Sequence, residues 1–168
     1  GVVVNIRDKE VMLQLAREEN IDGTIHPCSE VAMDVMGYIN DQIGLPGNSE
    51  EVSIRATNKH LMRKAFEAYG APSPKSFCFG SGEDAWKCFC EEFSENCILK
   101  PSRNSGSRGI ATIQKGIAKE QFEELFNVSK EESRDNTVML EQFIEGPEFS
   151  VEIIVYNGEP HVLQVTDK

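Results

Sequence analysis

Two short apolar runs, Cys97-Ile98-Leu99 and Ile110-Ala111-Thr112-Ile113, flank the stretch Pro101-Ser102-Arg103-Asn104-Ser105-Gly106-Ser107-Arg108-Gly109. Strands joined in this way read as a hairpin, and Lys100 closes the first of them. A lysine fixed at a strand end places a positive charge. A loop of small side chains lets backbone N–H groups approach an anion, and Arg108 adds a planar fork of donors. The guest that suits such a loop is a nucleoside triphosphate. The same residues would also make an ordinary polar hairpin loop, and neither a Walker A motif nor a G-x-G-x-x-G fingerprint is present.

A second signal lies downstream, from Val138 to Ile153. An apolar strand enters a polar break at Glu141-Gln142-Phe143-Ile144-Glu145, Gly146-Pro147 forces a turn, and alternation resumes at Phe149, Val151 and Ile153. The break frees main-chain donors and acceptors that the edge of an adenine ring can use. Glu141 and Glu148 flank it, one suited to an exocyclic amine and the other to two ribose hydroxyls.

Together the two motifs resemble the ATP-grasp superfamily of ligases. The loop from Lys100 to Arg108 is similar to that of biotin carboxylases, and the glutamate–hinge–Gly-Pro-Glu-Phe run to that of the ligase joining two D-alanines. The resemblance implies that Lys100 meets the α-phosphate side of ATP and that Ser105, Gly106, Ser107, Arg108 and Gly109 close over the β- and γ-phosphates. It assigns adenine and ribose to Glu141, the Gln142-Phe143-Ile144 hinge and Glu148. Family members carry a further lysine, usually after an aspartate, at the head of a helix. Here Asn58-Lys59 occupies that place.

The segment Gly44–Asn48, the run Thr57–Arg63 and Gly70-Ala71-Pro72-Ser73-Pro74 also resemble the family, notably carbamoyl-phosphate synthetase large chains and glycinamide ribonucleotide synthetases. On physical grounds a helix is expected from about Asn58 to Tyr69, with Thr57 as its cap and Gly70 past its end. A lysine in a first helical turn is mismatched to the dipole, which a bound anion would relieve; a solvated Lys59 is the alternative.

The chain has 168 residues, 39% hydrophobic and 27% charged, enough to bury a core, with no apolar run long enough to span a bilayer. A net charge of −11 disfavours an extended nucleic-acid surface while leaving room for a local cationic pocket. Five cysteines without a C-x-x-C pair point to a reducing, cytoplasmic setting. Cys78, Cys88 and Cys97 read as small buried hydrophobes. Cys28 instead sits in Ile25-His26-Pro27-Cys28-Ser29-Glu30, where a strand would hand over to a helix. His26, Cys28 and Ser29 are candidate contacts to a second substrate, although Ser29 would also serve as a helix cap.

Residues 2–6 and 23–26 are expected as strands, alternating with helices at 9–18 and 29–43 in the manner of parallel β-α units. A lid follows: a strand at 76–79, a helix over 83–93 capped by Ser81, the hairpin, and a helix over 119–129 burying Phe122, Leu125 and Phe126. Trp86, Phe89 and Phe93 mark the buried side of the first lid helix, and 129–136 is expected as a solvated connection. Asn157-Gly158 is a type I′ hairpin signal between strands.

The fold class is thus α/β (α+β). The resemblance implies a partial ATP-grasp fold: a pre-ATP segment over 1–47, a helical connector over 48–75, a lid over 76–145 and the first hairpin of the C-terminal half over 146–168. Truncation at both ends is expected, with magnesium ligands outside this polypeptide, so that the chain alone would not turn over. The implied chemistry passes the γ-phosphate of ATP to a carboxylate, giving an acyl phosphate that an amine displaces. A non-catalytic nucleotide-binding module and an interaction domain are the alternatives, and assembly of identical copies is left open.

Overall fold

The computed structural model describes residues 1–26 and 30–168. Its first part is helical: α1 (Lys9–Glu18), α2 (Met33–Ile43), α3 (Glu50–Thr57) and α4 (Lys59–Ala68). Leu13 and Ala16 of α1 pack on Val35 and Ile39 of α2. Gly37 lets α3 approach α2, since a Cβ there would lie 2.5 Å from the Ser49 carbonyl oxygen. Residues 2–6 and 23–26, expected as parallel strands, form none. A strand needs a hydrogen-bonded neighbour, and the described residues of this part contain no other strand to supply one.

The expected helix after Thr57 is present, but its cap is corrected. The Asn58 side chain accepts the Leu61 N–H at 3.0 Å, whereas the Thr57 hydroxyl turns back to the Ser53 carbonyl at 2.9 Å inside α3. Two helices therefore meet at Asn58, which ends one and starts the next.

The segment expected as a lid forms an antiparallel sheet of β1 (Ser76–Phe79), β2 (Cys97–Pro101), β3 (Ala111–Ile113) and β4 (Val138–Gln142), in the order β1-β4-β2-β3. Two helices, α5 (Gly82–Glu92) and α6 (Lys119–Glu131), contribute to its core. Ser81 caps α5 as expected. Alternation along the strands sorts the side chains. Cys97, Leu99, Val138 and Leu140 join Ala85, Phe89, Phe122 and Phe126 in the core. Trp86 and Phe89 contact the Phe122 ring at centroid distances of 5.3 and 5.5 Å. Lys100 and Glu141 belong to the opposite alternation and so share the other face.

The connection after α6 is not simply solvated: Arg134 and Asn136 are exposed, but Ser133 is buried and Asp135 half-buried among hydroxyl donors. Beyond β4, residues 143–148 are irregular, as the Gly-Pro break predicts. β5 (Phe149–Tyr156) and β6 (Glu159–Asp167) then pair through Asn157-Gly158, both at positive φ. All residues of this ribbon are exposed.

Burial pushes the Cys97 thiol up to about 12, with Cys88 adding to it. Iodoacetamide at about pH 8 should therefore alkylate exposed Cys90 and leave Cys97 unmodified until the chain is denatured. Peptide mass spectrometry checks this, and early labelling of Cys97 would contradict the packing.

Candidate functional site: cations gathered on one face of the lid sheet

The antiparallel register places Ile98 opposite Glu141 and Lys100 opposite Met139, so Lys100 and Glu141 are diagonal neighbours on one face. The Lys100 ammonium donates to Glu141 Oε1 at 2.6 Å. Arg63 of α4 grips the same carboxylate with two bonds, Nε to Oε2 at 2.9 Å and a terminal amine to Oε1 at 3.0 Å. Glu141 is buried, and burial pushes its carboxyl up, but the bonds from Arg63 and Lys100 outweigh this and leave it below the usual range. Both its oxygens thus already hold donors, whereas the family resemblance implies a contact to adenine or ribose.

Lys59 lies four residues before Arg63, so both share one face of α4. Its backbone N–H donates to the Ser102 carbonyl at 2.9 Å and its ammonium to the Asn104 carbonyl at 2.7 Å. Burial holds its pKa below the ordinary lysine value. Lys100 and Arg134 push it the same way, while Glu30 and Asp135 oppose them. A helix lysine is therefore fastened to the loop that follows the strand lysine.

The loop joining β2 to β3 has a fixed base and an open crest. Pro101, Ser102 and Asn104 are buried, while Gly106, Ser107 and Arg108 are exposed. Asn104 Oδ1 accepts the Ser105 N–H at 2.9 Å and an Arg108 amine at 3.1 Å. Gly106, Ser107 and Gly109 all have positive φ, a backbone that can turn successive N–H groups toward one anion. Gly109 is further required because a Cβ would lie 2.9 Å from that of Glu132.

At the hinge, the Gln142 and Phe143 amides are tied to the carbonyls of Lys75 and Asn96 at 2.9 and 3.2 Å. Glu148, at the foot of the ribbon, is exposed and ion-paired with Lys168. His26 lines a cavity of about 310 Å³ between α1 and α2, whose lining includes none of the loop residues. Cys28 and Ser29 lie outside the described residues. Arg103 and Arg134 reach toward Asp34 and Glu30, at 3.4 and 3.9 Å, linking the lid to the first part.

The sequence reading missed Arg63 and Asp135. The signal for Arg63 was its four-residue spacing from Lys59. For Asp135 it was a lone carboxylate between hydroxyl residues. Among the described residues no group of three or more His, Cys, Asp or Glu side chains forms a metal-binding set. Glu141 and Asp135 are already committed to protein donors. The residues present do not fit a magnesium site.

A strand lysine, Lys100, and a helix lysine, Lys59, thus stand at the base of a glycine-containing loop, Lys59 through its bonds to the Ser102 and Asn104 carbonyls. Residues 93–168 match the family model of an ATP-grasp domain. The chain is 27% identical over 128 residues to a D-alanine–D-alanine ligase of Flavobacterium johnsoniae, covering 74% of this chain and 38% of that protein. It is 26% identical over 152 residues to a phosphoribosylamine–glycine ligase of Methanosphaera stadtmanae, covering 86% and 34% respectively. The biotin carboxylase domain of the Hydrogenobacter thermophilus 2-oxoglutarate carboxylase, solved with MgADP, ADP and bicarbonate, matches with a TM-score of 0.71 at 20% identity, covering 90% of this chain and 35% of that one. The chain is thus similar to ATP-grasp proteins, most directly over residues 93–168, and spans about a third of the length of these relatives.

Proposed function

We propose that this chain is the ATP-holding portion of a ligase that activates a carboxylate as an acyl phosphate and joins it to an amine. The observation that carries the reading is that Lys59 donates to the Ser102 and Asn104 carbonyls at the base of the loop that Lys100 opens. Lys59, Lys100 and the backbone of Ser105–Gly109 would neutralise and orient the polyphosphate. The hinge would take adenine, with the Ile144 amide donating to a ring nitrogen and a neighbouring carbonyl accepting the exocyclic amine. Glu148 would bind ribose. Glu141 would act through Lys100, holding its ammonium in place with Arg63 as counterweight.

The work in such a reaction is positioning and charge neutralisation, without a protein nucleophile. Magnesium would supply further positive charge against the polyphosphate. Among the described residues none form a ligand set for it. The division into a pre-ATP segment (1–47), connector (48–75), lid (76–145) and following hairpin (146–168), and the cytoplasmic setting, belong to the same proposal. Among the described residues no helix is long and apolar enough to cross a membrane.

Calorimetric titration of the chain tests the reading. ATP should bind, and GTP should bind about tenfold more weakly or worse, because guanine presents a donor where adenine accepts. Absent binding, or equal affinities, would overturn it.

A further inference from the structure

Asp135 ties together three segments that are distant in sequence. Its Oδ1 accepts the Ser133 hydroxyl at 2.8 Å and the Thr137 N–H at 3.2 Å, with the Thr137 hydroxyl also at 2.8 Å. The Ser102 hydroxyl lies 2.6 and 2.7 Å from its two oxygens. Asn58 Nδ2 donates to Oδ2 at 3.1 Å. The partners therefore come from the start of α4, the end of β2 and the turn before β4.

Two of these partners adjoin the lysines of the proposed polyphosphate grip. Asn58 precedes Lys59, and its other amide atom caps α4, so one side chain both starts the helix and fastens it to Asp135. Ser102 stands two residues beyond Lys100, and its carbonyl accepts the Lys59 N–H. A helix and a strand that share no hydrogen-bonded ladder are thus registered through one carboxylate. We infer that Asp135 is a positioning residue that holds Lys59 and Lys100 at the spacing required by the polyphosphate of a nucleotide, an inference that rests on the nucleotide reading above.

The chemistry of the group suits this task. Burial alone would push its carboxyl up, but the hydroxyls of Ser102, Ser133 and Thr137 outweigh that and keep it below the usual range, ionised at neutral pH. An ionised carboxylate takes several donors at once through two oxygens, which a neutral amide cannot match. Asp135 touches neither the loop crest nor the hinge in the described contacts, so it acts through the lysines.

Competitive acetylation of lysines, read by peptide mass spectrometry without nucleotide, separates positioning from general stabilisation. In D135N the acetylation rates of Lys59 and Lys100 should rise about threefold or more, while exposed Lys87 on α5 stays unchanged. In the same variant ATP affinity should fall about tenfold, and a K59M/D135N pair should lose less than the product of the single losses. S102A, which removes one spoke and leaves the carboxylate, should move the same readouts in the same direction by a smaller factor. It keeps the claim testable if D135N fails to fold. Unchanged lysine rates, or equal rises at Lys59, Lys100 and Lys87, would overturn the positioning role. If the unaltered chain bound no ATP, the nucleotide reading and the purpose assigned to the spacing would fall, whereas altered lysine rates would still separate that failure from a failure of Asp135 to hold the lysines.

Discussion

Replacing Glu141 with alanine should destabilise the chain by about 3 kcal/mol, the lower end of what breaking a buried ion pair costs. The side chain is 5% exposed, and its loss leaves Arg63 and Lys100, at 21% and 15%, without their anion. That residual exposure lets water screen part of the stranded charge and sets the estimate low. Urea unfolding should show the loss as a lower midpoint at unchanged slope. A charge reversal on the other side, such as R63E, should be at least as damaging.

The pH dependence has a defined sign. The folded-state pKa of Glu141 is depressed, so its contribution is complete above the ordinary carboxylate range and is lost as pH falls through the depressed value. The E141A chain should therefore lose less stability on acidification than the parent. Parallel acid profiles for the two would show that the carboxylate is not paired in solution.

Replacing Lys100 with methionine should weaken ATP binding about 30-fold, the equivalent of ~2 kcal/mol for a charge-assisted contact to phosphate. Folding should be nearly unaffected, since Glu141 keeps both bonds from Arg63 and methionine preserves the stem of the side chain. The neighbouring cation that depresses Lys59 also disappears, so the remaining lysine should titrate closer to its ordinary value. Calorimetry with ATP checks the first effect and urea unfolding the second. An unchanged ATP affinity would remove Lys100 from the proposed grip.

What could be read from residues alone follows the range of the interaction involved. The lid helices and strands were legible because each repeats a local period, as with Phe122, Leu125 and Phe126 on α6, or Cys97 and Leu99 on β2. The type I′ turn was legible because Asn157-Gly158 suits two successive positive φ angles. The convergence of Lys59 with Lys100 came only through family resemblance, since no local rule brings α4 to β2. Arg63, which meets Glu141 across 78 positions, and Asp135, which meets Asn58 across 77, depend on tertiary register that periodicity does not encode. Thr57 is the expected cap because hydroxyl residues commonly cap helices, but the helix starts one residue later and the threonine is left inside α3. The strands expected at 2–6 and 23–26 have the right composition but no neighbour among the described residues, and composition does not supply a partner.

The two-sided character of β2 and β4 bears on how such a protein changes over generations. Adjacent codons in these strands answer to different constraints, one to the core beside α5 and α6 and the next to the face that carries Lys100, Met139 and the buried Glu141. A change at half-buried Ile98 or Lys100 can retune the second face with little effect on the core, whereas a change at Glu141 or Met139 reaches charge and packing together. Substitution on such a scaffold is therefore freer along the second face of β2 than along that of β4.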